Sequence, residues 1–286
     1  MKTDPFALNP PEEQQVCVRP IETTRFPMLI IDNVYRDPHA VRELALSLPY
    51  EPLGAGNPGA RAEMASAPAI AQVRRMVQQH VGEAYGWLDL DADVMVQNGA
   101  RFHRMRYPGA CPSSEVRMPH IDSVILAGVV YLNLPEHCRG GTTFFRHRAT
   151  GIAEWRVRTE EPVAPAAVRA AMAMGFDDDY RRGAQEGRWR DYDELRGMIF
   201  DGPQGPRKFM AEGGPDWVQI DAVEMRWNRL VCFPGFVFHT SHYDPSWFGD
   251  DPEASRIIQN FLFYWPMAAH VEPSRSTARV AHAPGA

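Results

Sequence analysis

The stretch His120-Ile121-Asp122-Ser123-Val124-Ile125-Leu126-Ala127-Gly128-Val129-Val130-Tyr131-Leu132-Asn133 joins a tripeptide that can bind metal to a nearly continuous apolar strand. Side chains two apart on a strand point to the same face, so His120 and Asp122 are placed to grip one ion. With a second His from elsewhere they make a 2-His-1-carboxylate facial triad. That set leaves three coordination positions open and suits non-haem Fe(II) and oxygen chemistry. A surface His beside a turn Asp is the plain alternative for the tripeptide alone.

Working outward, Asn228 to Pro234 gives a later strand and its turn, and Phe236-Val237-Phe238-His239 sets a His at the edge of a new one. His239 is the expected second imidazole, because the apolar segment before it would fix its ring. His242 is the competitor. Ser255-Arg256-Ile257-Ile258-Gln259-Asn260-Phe261 opens the last strand with a single Arg. A guanidinium there can pair bidentately with a carboxylate in a dry pocket. An ion pair between Arg256 and Asp251 or Glu253 is the bland reading.

The remaining elements follow from periodicity. Pro27 to Asp32 reads as a short strand. Asp37-Pro38 opens a helix through about Leu48, with Val41, Leu44, Ala45 and Leu48 as its apolar stripe. A second helix is expected from Ala67 to about Tyr85, with Ile70, Val73, Val77 and Val81 on one face. Strands are expected at Ala100 to Tyr107, with Arg101, His103, Met105 and Tyr107 on one side, and at Val124 to Asn133. Others are expected at Thr142 to Arg146, Trp217 to Phe233 and Arg256 to Trp265. Residues 151–215 are Ala-rich and charged, and read as a helical insertion with pieces near 164–174 and 189–199. Residues 1–20 read as a loosely attached arm and the tail after about Pro266 as mobile. Two helices packed on many strands, with a metal pair at a strand end, predict a mainly β fold with flanking helices. Its core would be a double-stranded β-helix, a cupin-like jelly roll, within one domain over 1–286. An all-β barrel without metal is the alternative.

Composition excludes several classes. The 286 residues are 44% hydrophobic, ample for a core, and the net charge of -6 gives no basic footprint for nucleic acid. No run of 18 apolar residues marks a membrane span, and Met1 to Pro5 shows no apolar signal region, so a cytoplasmic protein is expected. Cys17, Cys111, Cys138 and Cys232 are far apart, without a Cys-x-x-Cys pair, and read as reduced thiols. His137-Cys138 reads as loop rather than as a ligand pair.

Taken in order, Tyr107-Pro108-Gly109, His120-Ile121-Asp122, Tyr131-Leu132-Asn133, Gly140-Gly141, His239 and Arg256 resemble the Fe(II)/2-oxoglutarate-dependent dioxygenases of the prolyl-hydroxylase-like branch. The matching elements span about residues 100–265. Gly140 to Arg148 is further similar to a bacterial subgroup of uncharacterised members. The resemblance implies Fe(II) held by His120, Asp122 and His239. It also implies the distal carboxylate of 2-oxoglutarate held by Arg256 and Tyr131, with Tyr107 lining the co-substrate pocket. It implies O2-dependent hydroxylation with release of succinate and CO2, and a retained Asp122 points to hydroxylation rather than halogenation. Two departures stand out: Arg256 lies 17 residues after His239 (256 − 239), longer than usual in that family, and the 151–215 insertion is unusual. If His242 were the ligand the gap would be 14 (256 − 242).

The expected substrate is a small molecule such as an amino acid or natural-product precursor, with protein or peptide hydroxylation as the alternative. A jelly-roll metal protein without 2-oxoglutarate turnover is a third reading. Arg61, Arg101, His103, Arg146, Trp247 and Phe248 are candidates for the substrate pocket, and several Arg suit a carboxylate-bearing substrate. For Arg101, Arg104 and Arg106 the plain reading is exposure on an edge strand, and for Phe261 and Trp265 it is core. The sequence leaves the oligomeric state open.

Overall fold

The structure is a computed structural model. It describes residues 4–52, 59–63, 71, 73, 75–77, 80, 95–96, 101–105, 119–122, 124, 126–155, 176–200, 213–242, 244, 247 and 253–264. In chain order its elements are β1 (Gln15–Pro20), β2 (Pro27–Asp32), α1 (Pro38–Ser47), β3 (Glu51–Pro52), β4 (Ala60–Ala62) and β5 (Met95–Val96). Next come β6 (Arg101–Met105), β7 (Leu126–Tyr131), β8 (Gly141–His147), α2 (Phe176–Gln185) and α3 (Tyr192–Phe200). The chain continues with β9 (Trp217–Glu224), β10 (Arg229–Pro234), β11 (His239–His242) and β12 (Arg256–Tyr264).

The molecule is mainly β, with two antiparallel sheets. The larger runs β1-β2-β10-β7-β12-β6-β4-β3, with β5 also on β12; the smaller runs β11-β8-β9. Strand alternation sorts the large sheet into two buried faces. Leu29, Ile31, Val130, Leu230, Cys232, Ile257 and Phe261 pack under α1 and the helical residues near 71–80. Met28, Ile30, Tyr131, Val231, Phe233 and Ile258 pack against Phe144 and Val223 of the small sheet. Burial on both faces explains why β7 and β10 read as continuous apolar runs rather than alternating ones. Each such side chain taken fully from water contributes about 1.5–3 kcal/mol.

Helix α1 forms as its sequence dictates. Asp37 Oδ1 accepts the Ala40 N–H at 3.0 Å, Pro38 occupies the first turn, and Val41 and Ala45 are fully buried. Of the helix expected from Ala67 to Tyr85, the described residues Ala71, Val73, Arg75, Met76, Val77 and His80 are helical, and Val73 and Val77 are fully buried.

Several expectations need correction. Residues 4–20 are no loose arm: Phe6 is buried, Asn9 donates to the Asn33 and Tyr35 carbonyls, and β1 pairs along β2. The Pro and Glu residues there hide an edge strand, where exposed side chains are tolerated. Trp217 to Phe233 is two strands, in different sheets. Between them Arg229 N–H turns back to the Arg226 carbonyl, and Asn228 takes a left-handed φ of 59°. In the insertion, α3 begins at Tyr192 rather than 189. Helix α2 at Phe176–Gln185 was not expected, because its Asp-rich start lowers intrinsic propensity while suiting a helix N-terminus. The piece expected at 164–174 and the tail after 264 lie outside the described residues. Among the described residues, no helix is long and apolar enough to cross a membrane.

The insertion leaves and returns between neighbouring strands β8 and β9. Trp155, Trp189, Leu195, Ile199, Trp217 and Phe238 form its own apolar cluster against the outer face of the small sheet. Phe238 is the residue before His239, so the insertion packs directly behind the site.

Candidate metal centre and anion pocket

His120 and His239 are brought together by main chain. The N–H of each donates to the carbonyl of the other, at 3.0 and 2.9 Å. Residues that exchange both bonds across an antiparallel pair set their side chains on the same face. The two imidazole centroids lie 4.6 Å apart. Asp122, two residues on, donates its N–H to the Gly235 carbonyl at 2.8 Å, which fixes the carboxylate beside them. A Cβ at Gly235 would come within 2.6 Å of the Val124 carbonyl oxygen, so only glycine permits this approach.

One ligand atom from each of His120, Asp122 and His239 lies within 4.8 Å of the others. His239 Nε2 faces Asp122 Oδ2 at 3.3 Å, and His120 Nε2 faces Asp122 Oδ1 at 3.9 Å. His239 is 6% exposed, and its ring packs edge-on against Phe233. Its Nδ1 lies 2.8 Å from the Val237 carbonyl. A carbonyl only accepts, so Nδ1 carries the proton and Nε2 keeps its lone pair for a cation. Two imidazole nitrogens and a carboxylate converging on one point form the donor set of a divalent metal with open positions, and the fit is good.

His242 lies on the same strand three residues on, so its side chain leaves the other face. It meets Trp247 edge-to-face, with ring centroids 5.6 Å apart, and is not part of the cluster among the described residues. Cys138, beside His137, is likewise outside it. Its Sγ donates to the Asn133 carbonyl, and burial pushes the thiol up to about 11.

The triad opens on a cavity of about 160 Å³ whose lining includes Arg101, His103, Thr142, Phe233, Arg256 and Asn260. Arg256 is 1% exposed, and its Nη2 donates to the Gly141 carbonyl at 3.0 Å. Its guanidinium carbon sits 5.9 Å from the Tyr131 ring centroid. The Tyr131 hydroxyl shares a 2.8 Å hydrogen bond with Thr142 Oγ1. Burial pushes the Tyr131 phenol above its ordinary value, against the pull of the Arg256 charge, so it stays a neutral donor. Glu253 pairs with Arg42 rather than with Arg256, and Asp251 lies outside the described residues.

Tyr107, Arg106, Phe248 and Trp265 also lie outside the described residues. Of the other pocket candidates, Arg101 and His103 line the cavity, whereas Arg61 turns outward toward Glu63 and Trp247 packs on His242. Arg146, on β8, is not among the lining residues. Strand β6 is flanked by β12 and β4, so it is no edge. Arg104 is accordingly buried, with Nε donating to Ser255 Oγ at 2.9 Å. Phe261 is fully buried in the core.

Two residues gain a role from the geometry: Asn133, which closes the Tyr131-Leu132-Asn133 motif without a task of its own, and Asn260, which belongs to no motif. Asn133 is fully buried: its Nδ2 donates to the Ser255 carbonyl and its Oδ1 accepts the Ile257 N–H, so it clamps the chain on both sides of Arg256. Asn260 shares the cavity face of β12 with Arg256, a relation that period-2 counting from Arg256 reveals.

The model of a family of unknown function, DUF6445, matches residues 12–187 and 184–263. The chain belongs to this family. No match was found among curated proteins. A crystal structure of HygX from Streptomyces hygroscopicus with nickel, 2-oxoglutarate and hygromycin B bound is similar at a TM-score of 0.40 and 11% identity. It covers 84% of this chain and 83% of that one. A likeness so remote assigns the DUF6445 chain neither fold nor function.

Proposed function

We propose that this protein is a non-haem Fe(II)- and 2-oxoglutarate-dependent oxygenase that hydroxylates a small molecule, with the two facing sheets as the halves of a jelly roll. One observation carries the reading: a 2-His-1-carboxylate cluster and a buried Arg line the same cavity. A structural zinc site would close its fourth position with protein and would need no such Arg. When bound, Fe(II) with 2-oxoglutarate and O2 supplies the oxidising power, releasing succinate and CO2.

The chain's own residues then have definite tasks. His120, Asp122 and His239 hold the ion, and the Val237 carbonyl fixes the His239 tautomer. Arg256 takes the far carboxylate of the 2-oxo acid. A guanidinium this buried is costly to desolvate, and a carboxylate facing it offsets the cost by paired charge-assisted bonds. Tyr131, held neutral, donates beside it through its hydroxyl or through Thr142. Phe233, Ile258 and Leu262 supply the apolar wall that keeps water from these charges. Tyr107 is assigned to the same pocket on its sequence position alone.

The test is succinate formation from 2-oxoglutarate under air with Fe(II), in wild type and in His120→Ala, Asp122→Ala and Arg256→Ala. Turnover by wild type alone supports the reading. An iron-loaded, folded protein that shows no visible charge-transfer band with 2-oxoglutarate and forms no succinate overturns it.

A further inference from the structure

We propose that Arg101 and Asn260 form a second acid-recognition subsite in this cavity, which holds the carboxylate and neighbouring N–H or O–H group of a small amino- or hydroxy-acid substrate. The inference deepens the oxygenase reading and rests on it in one respect: Arg256 is assigned to the co-substrate.

Alternation along β12 puts Arg256, Ile258, Asn260 and Leu262 on the cavity face, while Ile257, Phe261 and Phe263 pack under the helices. Register places Asn260 opposite Arg101 on β6 and opposite Val129 on β7. Arg101, Asn260 and Val129 therefore form one row across three strands, with neighbouring Cβ atoms about 5 Å apart. Arg256 stands four residues back in a different row, opposite Met105. At strand rise the two rows are about 13 Å apart along the strand, so Arg101 and Arg256 are rooted in different parts of the cavity wall.

The side chains in this row have unused bonding capacity. Arg101 engages Glu63 through Nε at 2.8 Å, at the rim, and its two Nη groups have no hydrogen-bond partner among the described residues. Those two groups are one edge of the guanidinium fork, the geometry that matches a carboxylate bidentately. Asn260 Oδ1 is shielded from solvent and has no hydrogen-bond partner among the described residues. A buried acceptor in that state is relieved by an incoming N–H or O–H. Whichever way its amide is turned, it offers one donor and one acceptor.

The pair thus matches a carboxylate with a donor group on the adjacent carbon. Charge agrees: among the described residues lining the cavity, Asp122 is the single acid, and although Glu63 at the rim pairs with Arg101, Arg256 and a divalent metal leave the balance positive. With Val129 in the row and Leu262 next along β12, and a cavity of about 160 Å³ that also takes the co-substrate, the space suits only a small acid.

The experiment titrates full-length protein, loaded with Mn(II) to prevent turnover, with the common L-amino acids, their α-hydroxy counterparts and their C-terminal amides. Each titration is run with and without 2-oxoglutarate, by thermal shift and then calorimetry. At least one free acid is expected to bind, with its amide weaker by about tenfold or more. Arg101→Gln, and Asn260→Leu or the milder Asn260→Ser, are expected to weaken that acid by a similar factor. The affinity of these variants for 2-oxoglutarate should hold, whereas Arg256→Gln should lose it. The proposal is overturned if no free acid binds, if amides bind as well as acids, or if binding ignores both Arg101 and Asn260. Failure of wild type to bind 2-oxoglutarate strikes the oxygenase reading instead, and the titrations without it still decide the subsite.

Discussion

His120 and His239 are a hydrogen-bonded antiparallel pair, 119 positions apart (239 − 120), whose rings meet because their backbones exchange both bonds. The site is therefore organised before any ion arrives. Alanine at His120, Asp122 or His239 should leave the fold intact and lower affinity for Mn(II) or Fe(II) by more than the roughly 10–100-fold that loss of an outer partner costs. His242→Ala should leave that affinity where it was. Calorimetric titration with Mn(II) checks both. A His242 variant that loses the metal would reassign the second imidazole.

Asn133 supplies the next prediction. Its carboxamide bridges the Ser255 carbonyl and the Ile257 N–H, and Arg256 is the residue between. Asn133→Ala strands both buried backbone groups at about 1–3 kcal/mol. It should raise the KM for 2-oxoglutarate through a displaced Arg256 while metal affinity stays unchanged. Equal losses of both would show a general loss of structure instead.

The legible parts of this chain were those set by local periodicity. Strand β2 and helix α1 could be bounded to within a residue, because Pro27, Asp37 and Pro38 mark their starts. His120-x-Asp122, His239 and Arg256 could be picked out as ordered pieces; His239 and Arg256 open strands β11 and β12, whereas His120 lies in an isolated bridge before β7. What periodicity could not show was partnership. Trp217 to Phe233 is apolar enough for one strand, and only the turn at Asn228 sends its halves to different sheets. Arg104 reads as surface from its charge, yet β4 covers its strand. Asn260 carries no motif at all; its place follows from the β12–β6 register, a property of two segments more than 150 residues apart (260 − 101).

Gly140 and Gly141 link the small sheet to Arg256. Gly140 has φ +74°, and a Cβ there would lie 1.9 Å from the His242 carbonyl oxygen. Gly141 lends its own carbonyl to Arg256. Gly140→Ala should cost at least about 1–3 kcal/mol from backbone strain alone, with the steric overlap in addition. Urea denaturation measures the loss. Gly187, also at positive φ but with nothing within 4 Å of its would-be Cβ, is the control. Gly187→Ala should cost only the conformational strain.

His147 gives the fold a pH dependence that does not involve the metal ligands. Its ring is buried against Trp217, with Nδ1 3.0 Å from Thr150 Oγ1. Burial holds the imidazole below its ordinary 6.5, the nearby Asp216 carboxylate opposing this in part. At pH well above 6.5 the ring is neutral in both folded and unfolded chains, and it contributes no slope. As pH falls through 6.5 the unfolded chain takes up a proton that the folded chain resists, so stability falls until the lowered folded value is passed. Unfolding free energies measured from about pH 7.5 to about pH 5 should therefore decline more steeply in wild type than in His147→Asn, which keeps a polar group toward Thr150 but does not titrate. Parallel curves for the two proteins would mean that the ring is protonated as readily when folded as when unfolded, and that burial does not govern it.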